Sequence, residues 1–472
     1  MRNRLKLTKF SISAAAWLAF AGAGLAQDPQ NSQDEKPKPA ARAYGPIGAE
    51  NEEQTPETLQ PDERPLTGLQ QPTVGTPIER HSYWVPGVSY YNFIQSNGQT
   101  QGGGSDWNST SYLSGNVSLL ENWSRSQLAL NLSAGGYFSS DSAVGNGWFD
   151  QLGVTQTMNW ARWQLTLLDQ FSYLPQSQFG FGTGTGLSLP GVGGSLGGVS
   201  TGLGGGLDPG QSIFTAVGPR YSNTFGVQTN YELTPRSSVT LGGVFGILRF
   251  TEPGNIDSNN YIGNAGYNYQ ITREDTIGLQ YRFSSYHYLG SPQAIGDHSI
   301  QAAYGKKITG KLALQLSGGP EITYYRIPPS GGSKTRFVSG TGSATLTYAF
   351  PRGSVSLGYT HGLTSGSGVF LGAVTDQLTL SGTRKLSRVW SGDAHVGFAH
   401  NRESQTTEGL AEPSFNTVYV GGSVARPLGR NASFSLGYTA YVETSNNVGG
   451  SSFTTHEISL GLSWHTRPFV LH

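Results

Sequence analysis

The sequence predicts an all-β protein, folded as a transmembrane antiparallel β-barrel, and three observations support this. Long segments alternate between apolar and polar side chains over most of the chain. Short turns, each with one basic residue, recur between these segments at a near-constant spacing, and aromatic residues collect near both ends of the segments. The aromatic residues assigned to the ends with longer loops are Phe138, Trp148, Tyr173, Tyr288, Tyr324 and Tyr441. Alternation with a period of two gives a strand one apolar and one polar face, which suits a wall between lipid and a polar interior.

The composition limits the class of protein. The chain has 472 residues, no net charge, no cysteine, 67 glycines and 13% charged residues. A mean hydropathy of −0.32 argues against a bundle of membrane helices, whereas a barrel need not be apolar on average because half of each strand faces water. Without cysteine there is no disulfide framework or thiolate metal site, and a neutral chain gives no reason to expect a nucleic-acid partner.

The N-terminal part of the chain predicts export from the cytoplasm. Residues 1–26 combine a basic start, an apolar core and a small-residue cleavage site ending at Ala26, as in a secretory signal peptide. Residues 27–81 are rich in proline and acids and poor in aromatic residues, so we expect a disordered periplasmic segment, either a solvated linker or an arm that docks a partner. The barrel is expected over residues 82–472.

The repeat of turns predicts eighteen strands. Eight basic turns lie 36 to 42 residues apart, except for one double-length gap, and each is flanked by two strands. A first strand near 88–97 and a last strand at 452–464 complete an even count, which barrel closure requires. Pro86 weakens the first strand, because proline has no backbone donor, and sixteen strands is the alternative. A β-propeller has a similar repeat but packs four short strands into it, rather than two long ones. The turn residues are Arg125, Arg162, Arg236, Arg273, Lys311, Arg352, Arg388 and Arg430.

The last strand resembles the final strand of bacterial outer-membrane β-barrels, which ends on a polar residue, a glycine and an aromatic residue. Ser459, Gly461 and Trp464 match these positions, although residues 465–472 extend beyond the usual ending. The resemblance implies an outer membrane of the Gram-negative type, contact with lipid and lipopolysaccharide, and insertion by the barrel assembly machinery through the C-terminal strand. General porins are commonly trimers, and the sequence neither supports nor excludes a homo-oligomer.

The residues that alternate with the apolar face predict a polar, largely neutral interior. A wide barrel with such a wall suits passive passage of small hydrophilic solutes. Export of acidic polysaccharide needs a basic wall and a fatty-acid channel needs an apolar one, and the sequence predicts neither. The candidate pore-lining residues are Arg282, Glu321, Asp393, His395, Glu443, Gln228, Asn268, Gln280 and Gln315.

The longest connection, residues 174–218, is rich in glycine, with 14 glycines in residues 180–210. It is the third long loop in chain order and resembles the third loop of general porins, which folds inward and narrows the pore. Asp208 is the one charged residue between positions 180 and 210, so a constriction here is expected to be steric. A loop that stays outside the barrel is the alternative. The candidate constriction residues are Phe179, Phe181, Leu196 and Asp208.

The sequence contains no recognisable catalytic constellation, so we expect a non-enzymatic protein that needs no cofactor or metal. The best acid–histidine pair is Asp393 and His395, which share one face of a strand, but no nucleophile is singled out beside them. The favoured function is a porin-like passive channel. A structural or surface-interaction barrel occluded by its loop, or a membrane-embedded hydrolase, are the alternatives.

Overall fold

Eighteen long strands and one short strand make up the fold. The computed structural model describes residues 82–96, 107–140, 145–174, 219–251, 254–328, 335–366, 370–404, 413–446 and 452–471. Within these ranges no helix is long and apolar enough to cross a membrane. The strands are β1 (Ser82–Ser96), β2 (Trp107–Asn122), β3 (Ser126–Ser139), β4 (Asn146–Asn159), β5 (Trp163–Leu174), β6 (Arg220–Thr234), β7 (Ser237–Phe250), β8 (Ser258–Gln270), β9 (Asp275–Tyr288), β10 (Ala294–Thr309), β11 (Leu312–Tyr325), β12 (Arg336–Phe350), β13 (Gly353–Thr364), β14 (Ala373–Lys385), β15 (Ser391–Glu403), β16 (Ser414–Pro427), β17 (Ala432–Ser445), β18 (Phe453–His465) and β19 (Phe469–Leu471).

The strands form one closed antiparallel sheet. Each long strand pairs with its neighbours in sequence, and β1 pairs with both β2 and β18. The seam between β1 and β18 runs from Gly87 opposite His465 to Gln95 opposite Glu457. The predicted eighteen-stranded barrel is therefore confirmed, and the sixteen-stranded alternative is wrong because β1 is a full strand of the wall.

The chain after β18 lengthens this seam. Residues 466–468 leave the ladder, and β19 then pairs with the first residues of β1, where the rings of Trp84 and Phe469 stack with their centroids 5.0 Å apart. Pro86 lies opposite the break, and its carbonyl accepts a hydrogen bond from the Thr466 amide at 3.0 Å. The missing N–H of proline thus faces a gap in the ladder, which explains why Pro86 is tolerated inside β1.

The two faces of the wall carry different side chains. On β17, Leu436 and Tyr438 are 41% and 48% exposed on the outward face, whereas Tyr441 and Glu443 on the inward face are buried. The same alternation turns the apolar positions of the other strands outward, which confirms the apolar and polar faces that the sequence predicted for the strands. Exposed residues at these positions are Leu132, Val227, Leu316, Val355, Leu357 and Tyr359.

Aromatic side chains border the outward face at both rims, as the sequence predicted. Two residues assigned to the long-loop rim are exceptions, because Tyr288 and Tyr441 are buried on the inward face, with 4% and 3% exposed. In the alternation along their strands, both residues fall at the inward positions and not at the outward, apolar ones. Exposed rim residues are Trp123, Trp160 and Trp163 at the short turns and Phe138 and Trp148 at the long loops.

Candidate functional site inside the barrel

A belt of amide side chains lines the inward face of β6 to β11. Gln228, Asn268 and Gln280 are 1–4% exposed, and Gln280 donates a hydrogen bond to Gln301 at 2.7 Å. One side-chain polar atom on each of Gln228, Asn268, Gln280 and Gln315 nevertheless has no hydrogen-bond partner. Buried polar atoms are normally satisfied, so these atoms mark positions for water or a polar solute. All four predicted amide residues therefore lie on the inward face.

A row of hydroxyl and charged side chains crosses four strands next to this belt, on its long-loop side. Arg282, Ser299, Glu321 and Ser339 lie opposite one another on β9, β10, β11 and β12. The Ser339 hydroxyl donates a hydrogen bond to Glu321 Oε2 at 3.1 Å. Asp297 lies one inward position closer to the long loops than Ser299, beside Glu321. Two carboxyl groups and one guanidinium group thus share one patch of inner wall, which we call the charged row.

The members of the charged row are near one another but do not form an ion pair. Asp297 and Glu321 are 3% and 5% exposed, and Arg282 is partly exposed. Arg282 interacts electrostatically with Asp297, yet no ion pair joins it to either carboxyl group in the part of the chain that the structure describes. The Arg282 Nε and Asp297 Oδ1 atoms are buried without a hydrogen-bond partner. The row therefore keeps donor and acceptor capacity free.

The described residues of the connection between β13 and β14, residues 365–366 and 370–372, fold into the barrel on the long-loop side of the charged row. We call this connection the inward loop. Tyr286 donates a hydrogen bond to the Leu363 carbonyl at 3.4 Å, and Tyr288 donates one to the Ser365 carbonyl at 3.2 Å. Three strands separate β9 from β13 in the sheet, so these contacts cross the interior rather than follow the wall. The apolar cluster formed here consists of Tyr286, Tyr288, Ile295, Tyr325 and Leu363.

The inward loop also contacts the strands on its other side. Phe370 packs on Phe415 of β16, with ring centroids 5.2 Å apart. The Gly372 carbonyl accepts a hydrogen bond from the Ser404 amide at 3.1 Å, and Tyr325 of β11 donates one to the Ser404 carbonyl at 2.9 Å. These contacts hold a cap of backbone and aromatic rings across the long-loop end of the interior.

Asp393 and His395 lie on the inward face of β15, where the sequence placed them. His395 Nδ1 is 3.7 Å from Asp393 Oδ2, and the Ser423 hydroxyl donates a hydrogen bond to Asp393. A serine hydrolase needs the histidine between the serine and the carboxylate. Here the carboxylate lies between the other two, so the group does not have the order needed for nucleophilic catalysis. Among the described residues, no cluster of histidines and acids is placed to hold a metal ion.

Two further inward acids lie away from the charged row. Glu443, a predicted pore-lining residue, is 1% exposed on β17 and accepts a hydrogen bond from the Tyr441 hydroxyl at 3.3 Å. Glu457 lies at the seam and accepts a hydrogen bond from the Gln95 side chain of β1. Both carboxyl groups are therefore bonded within the wall.

The inner wall also has an aromatic region that the polar pattern did not predict. It occupies the long-loop half of β1 to β4, where inward aromatic side chains pack together with 0–5% exposed. The amide belt and the charged row of β6 to β11 are thus polar, whereas the long-loop half of β1 to β4 is aromatic. The residues of this region are Tyr91, Phe93, Tyr112, Tyr137 and Phe149.

Two features of the interior that were not predicted, the inward polar residues of β10 and the inward loop, nevertheless have recognisable sequence patterns. Asp297, Ser299 and Gln301 alternate with apolar or aromatic neighbours on β10, which marks them as one inward set. The run Val369-Phe370-Leu371 is apolar within a loop that should face water. The predicted constriction residues lie outside the described ranges, as do residues 1–81, so the inward fold of the Gly-rich loop stays a prediction. These constriction residues are Phe179, Phe181, Leu196 and Asp208.

The protein is an eighteen-stranded barrel of the membrane type. Its sheet is closed, its outward face is apolar with aromatic rims, and its inward face is largely polar. The fold therefore confirms the resemblance to outer-membrane β-barrels.

Comparison with known proteins identifies similar folds but no family. No family model matches the chain, and no curated protein is similar to it. Similar solved structures from Pseudomonas aeruginosa include OpdQ (11% identity, TM-score 0.40), OccK2 (OpdF) in complex with glucuronate (11%, 0.41) and the outer membrane protein OpdK (10%, 0.41). Each similarity covers 82% of this chain and 98–99% of the other.

Proposed function

We propose that the barrel is an outer-membrane channel for passive diffusion of small hydrophilic solutes. The observation that carries this proposal is the closed eighteen-stranded wall, apolar outside and largely polar inside. Barrels of this size enclose an aqueous interior unless residues fill it. Because most inward polar groups are hydroxyls and amides, such a path has little fixed preference for the charge of the solute.

The proposed path follows β12 to β15, where inward side chains are more exposed than on β6 to β11. Thr360 and Ser381 are exposed on the inward face, and the side chains of His395 and Asp393 are 34% and 42% exposed. By contrast, Gln228 on β6 is 2% exposed. Asp393 and His395 are then pore-lining residues, while the predicted amide residues border the path from the opposite wall.

Two loops narrow the path in this proposal. The described part of the inward loop lies at the long-loop end of the interior, where its Ser365 contacts Tyr288 and its Phe370 contacts Phe415. The Gly-rich loop is the second, and it is argued from its sequence alone. Since it is almost uncharged, its effect is expected to be steric.

The location and partners of the protein follow from the same proposal. The chain reaches the outer membrane after its signal peptide is removed near Ala26, and residues 27–81 form a disordered periplasmic segment. The aromatic rims meet lipid and lipopolysaccharide. The assembly machinery recognises β18, and homo-oligomers are compatible with the apolar outward face.

A structural or surface-interaction barrel, closed by its loops, is the second candidate function. The observation that favours it is the cap made by the inward loop, together with the burial of inward side chains on β6 to β11. The hydrolase alternative has less support, because Asp393 lies between Ser423 and His395. A serine hydrolase needs the histidine in that middle position.

Single-channel recording of the refolded mature protein, with and without residues 180–210, separates these functions. Steady ohmic steps in the wild type support a channel, and larger steps after the deletion support narrowing by the Gly-rich loop. An unchanged conductance makes that loop external. A silent wild type that conducts after the deletion supports the closed barrel, and silence of both proteins contradicts the channel.

A further inference from the structure

Two exposed arginine residues, Arg326 and Arg336, lie at the long-loop rim of the barrel, and we call them the arginine pair. We propose that the arginine pair binds a phosphate group of a glycolipid in the outer leaflet, such as lipid A, the membrane anchor of lipopolysaccharide. The site deepens the proposed function, because it names the part of the outward face that meets lipopolysaccharide, and it rests on the outer-membrane location in that proposal. Its position, its unpaired charge and the apolar surface beside it carry the inference.

The arginine pair lies where the outward face meets the lipid headgroups. Arg336 is the first residue of β12 and lies opposite Tyr324, which is 41% exposed on the outward face of β11. The Arg326 amide donates a hydrogen bond to the Ala294 carbonyl at 2.9 Å, so the ladder continues past the end of β11 and keeps Arg326 in phase with Tyr324. Because the long loops of an outer-membrane barrel are extracellular, both arginines are at the level of the outer-leaflet headgroups.

No acid of the described residues neutralises the arginine pair. Within these residues, no ion pair or hydrogen bond joins either guanidinium group to another side chain. The three long connections of this sector, residues 289–293, 326–335 and 365–372, contain no acidic residue in their sequence. The pair is therefore a centre of positive charge without a counter-ion from its own surroundings.

The other end of the same strands shows what a paired cation looks like on this face. Lys306 Nζ lies 3.2 Å from Asp275 Oδ1 at the short-turn rim. Asp275 is the only acid on the outward faces of the described strands β9 to β12. An acid thus accompanies the outward cation at the short-turn rim, whereas none accompanies the arginine pair at the long-loop rim.

The chemistry of the arginine pair suits a phosphate group. A guanidinium group donates paired N–H bonds to phosphate oxygens, and two neighbouring guanidinium groups match the charge of one phosphate monoester. The guanidinium carbon of Arg336 lies 5.6 Å from the centre of the Tyr324 ring. This cation–π contact holds the guanidinium group against the wall instead of letting it extend freely into water.

The surface beside the arginine pair favours a lipid over a free phosphate ion. The Tyr324 ring packs edge-to-face on His298 of β10, with ring centroids 5.7 Å apart. Further from the long loops on the same two strands, Ile300 and Leu316 are 53% and 39% exposed on the outward face. An amphiphile places its phosphate on the arginines and its acyl chains along this apolar wall, whereas a free phosphate ion gains only the first contact.

Binding of fluorescently labelled lipid A to the purified mature protein, in an uncharged detergent, tests the proposal by fluorescence anisotropy. Dephosphorylated lipid A is the matched probe, since it keeps the acyl chains and lacks the charge. We expect the wild type to bind lipid A about tenfold or more tightly than the dephosphorylated lipid, which is the effect of losing a charge-assisted contact. An excess of inorganic phosphate at constant ionic strength should not displace lipid A.

A double variant and a matched control assign the preference to the arginine pair. Arg326→Gln combined with Arg336→Gln should remove most of the preference for the phosphorylated lipid, because both donors of the site lose their charge. Arg384→Gln is the control. Arg384 is also an exposed arginine on the outward face, but it lies at the short-turn end of β14. This control should keep the preference of the wild type.

Four outcomes overturn the proposal. In the first, the wild type binds both lipids equally, and this result does not depend on the folding of any variant. In the others, the double variant keeps the preference, Arg384→Gln loses it to the same extent, or inorganic phosphate displaces lipid A. Binding in detergent is independent of conduction. A conducting barrel without the preference therefore refutes this inference alone, and a barrel that has the preference but never conducts refutes the channel alone.

Discussion

Neighbouring residues on a strand of this barrel have opposite environments, and this gives a direct test at the residue scale. Leu436 is exposed on the outward face between Val424 and Leu460, whereas Ser435 is inward. Leu436→Lys should destabilise the protein by about 2–4 kcal/mol, because a charge on the lipid face near the midplane is poorly solvated. Ser435→Lys is the matched control and should cost little. Denaturant unfolding in lipid vesicles measures both, and equal costs would contradict the assignment of faces.

The alternation of side chains is also what made single residues predictable. It placed Arg282, Glu321 and Asp393 on the inward face without any knowledge of their neighbours. It did not reveal that Asp297 and Glu321 meet, because this depends on the register between β10 and β11. Tyr288 was assigned to the outward rim, but its side chain is buried inside. An aromatic residue near a strand end suggests a rim position even when its side chain points inward.

At the scale of an element, Gly372 is a position in the inward loop where an added side chain would clash with its neighbours. It has a φ of 86°, in the left-handed region that favours glycine. A Cβ atom here would lie 2.7 Å from Ser404 Oγ and closer still to Ile295 Cδ1. Gly372→Ala is therefore expected to displace the inward loop and to increase the single-channel conductance, while the barrel stays folded.

Gly429→Ala is the matched control for this variant. Gly429 has a φ of 84° in the short turn between β16 and β17, and an added Cβ would meet nothing within 4 Å. The two substitutions thus impose similar backbone strain, but only the first creates a clash. Gly429→Ala should leave the conductance unchanged. If Gly372→Ala also leaves it unchanged, the inward loop does not narrow the path.

Strands and loops differed in how well the sequence predicted them. The strands follow from local alternation, and their number followed from the repeat of basic turns. The inward loop depends on hydrogen bonds between residues 77 positions apart, which no local pattern contains. The short strand β19 was also not predicted, because its three residues are too few to show alternation.

For the whole molecule, closure of the seam is the property that makes the sheet a barrel. Ser89 and Ser463 lie opposite each other on β1 and β18, both on the inward face. Opposite residues have Cα atoms about 4.5–5.5 Å apart, within the range that a disulfide spans. The chain has no cysteine of its own. Ser89→Cys combined with Ser463→Cys should therefore form a disulfide on oxidation, detected by a shift in electrophoretic mobility.

The control for the seam keeps Ser89→Cys and moves the second cysteine by one residue. Leu462 is 44% exposed on the outward face, so Ser89→Cys with Leu462→Cys should not form the bond. Absence of the disulfide in the first variant would show that the seam is open or paired in another register.

At this largest scale, the sequence predicted the architecture better than the interior. An even strand count and an amphipathic wall are sufficient for a closed barrel. Whether its interior is open depends on which residues lie across it, and the contacts of Phe370 and Tyr325 with distant strands decide this in the part that the structure describes. Local sequence patterns carry no information about such contacts.

The most direct test of a water-filled path is thiol accessibility during single-channel recording. Ser381 and Leu380 are adjacent on β14, the first exposed inside and the second exposed outside. A charged, water-soluble thiol reagent should lower the conductance of Ser381→Cys and leave that of Leu380→Cys unaffected. Two outcomes would contradict a path along the inner face of β12 to β15. In the first, the reagent does not change the conductance of Ser381→Cys, and in the second it changes the conductance of both variants equally.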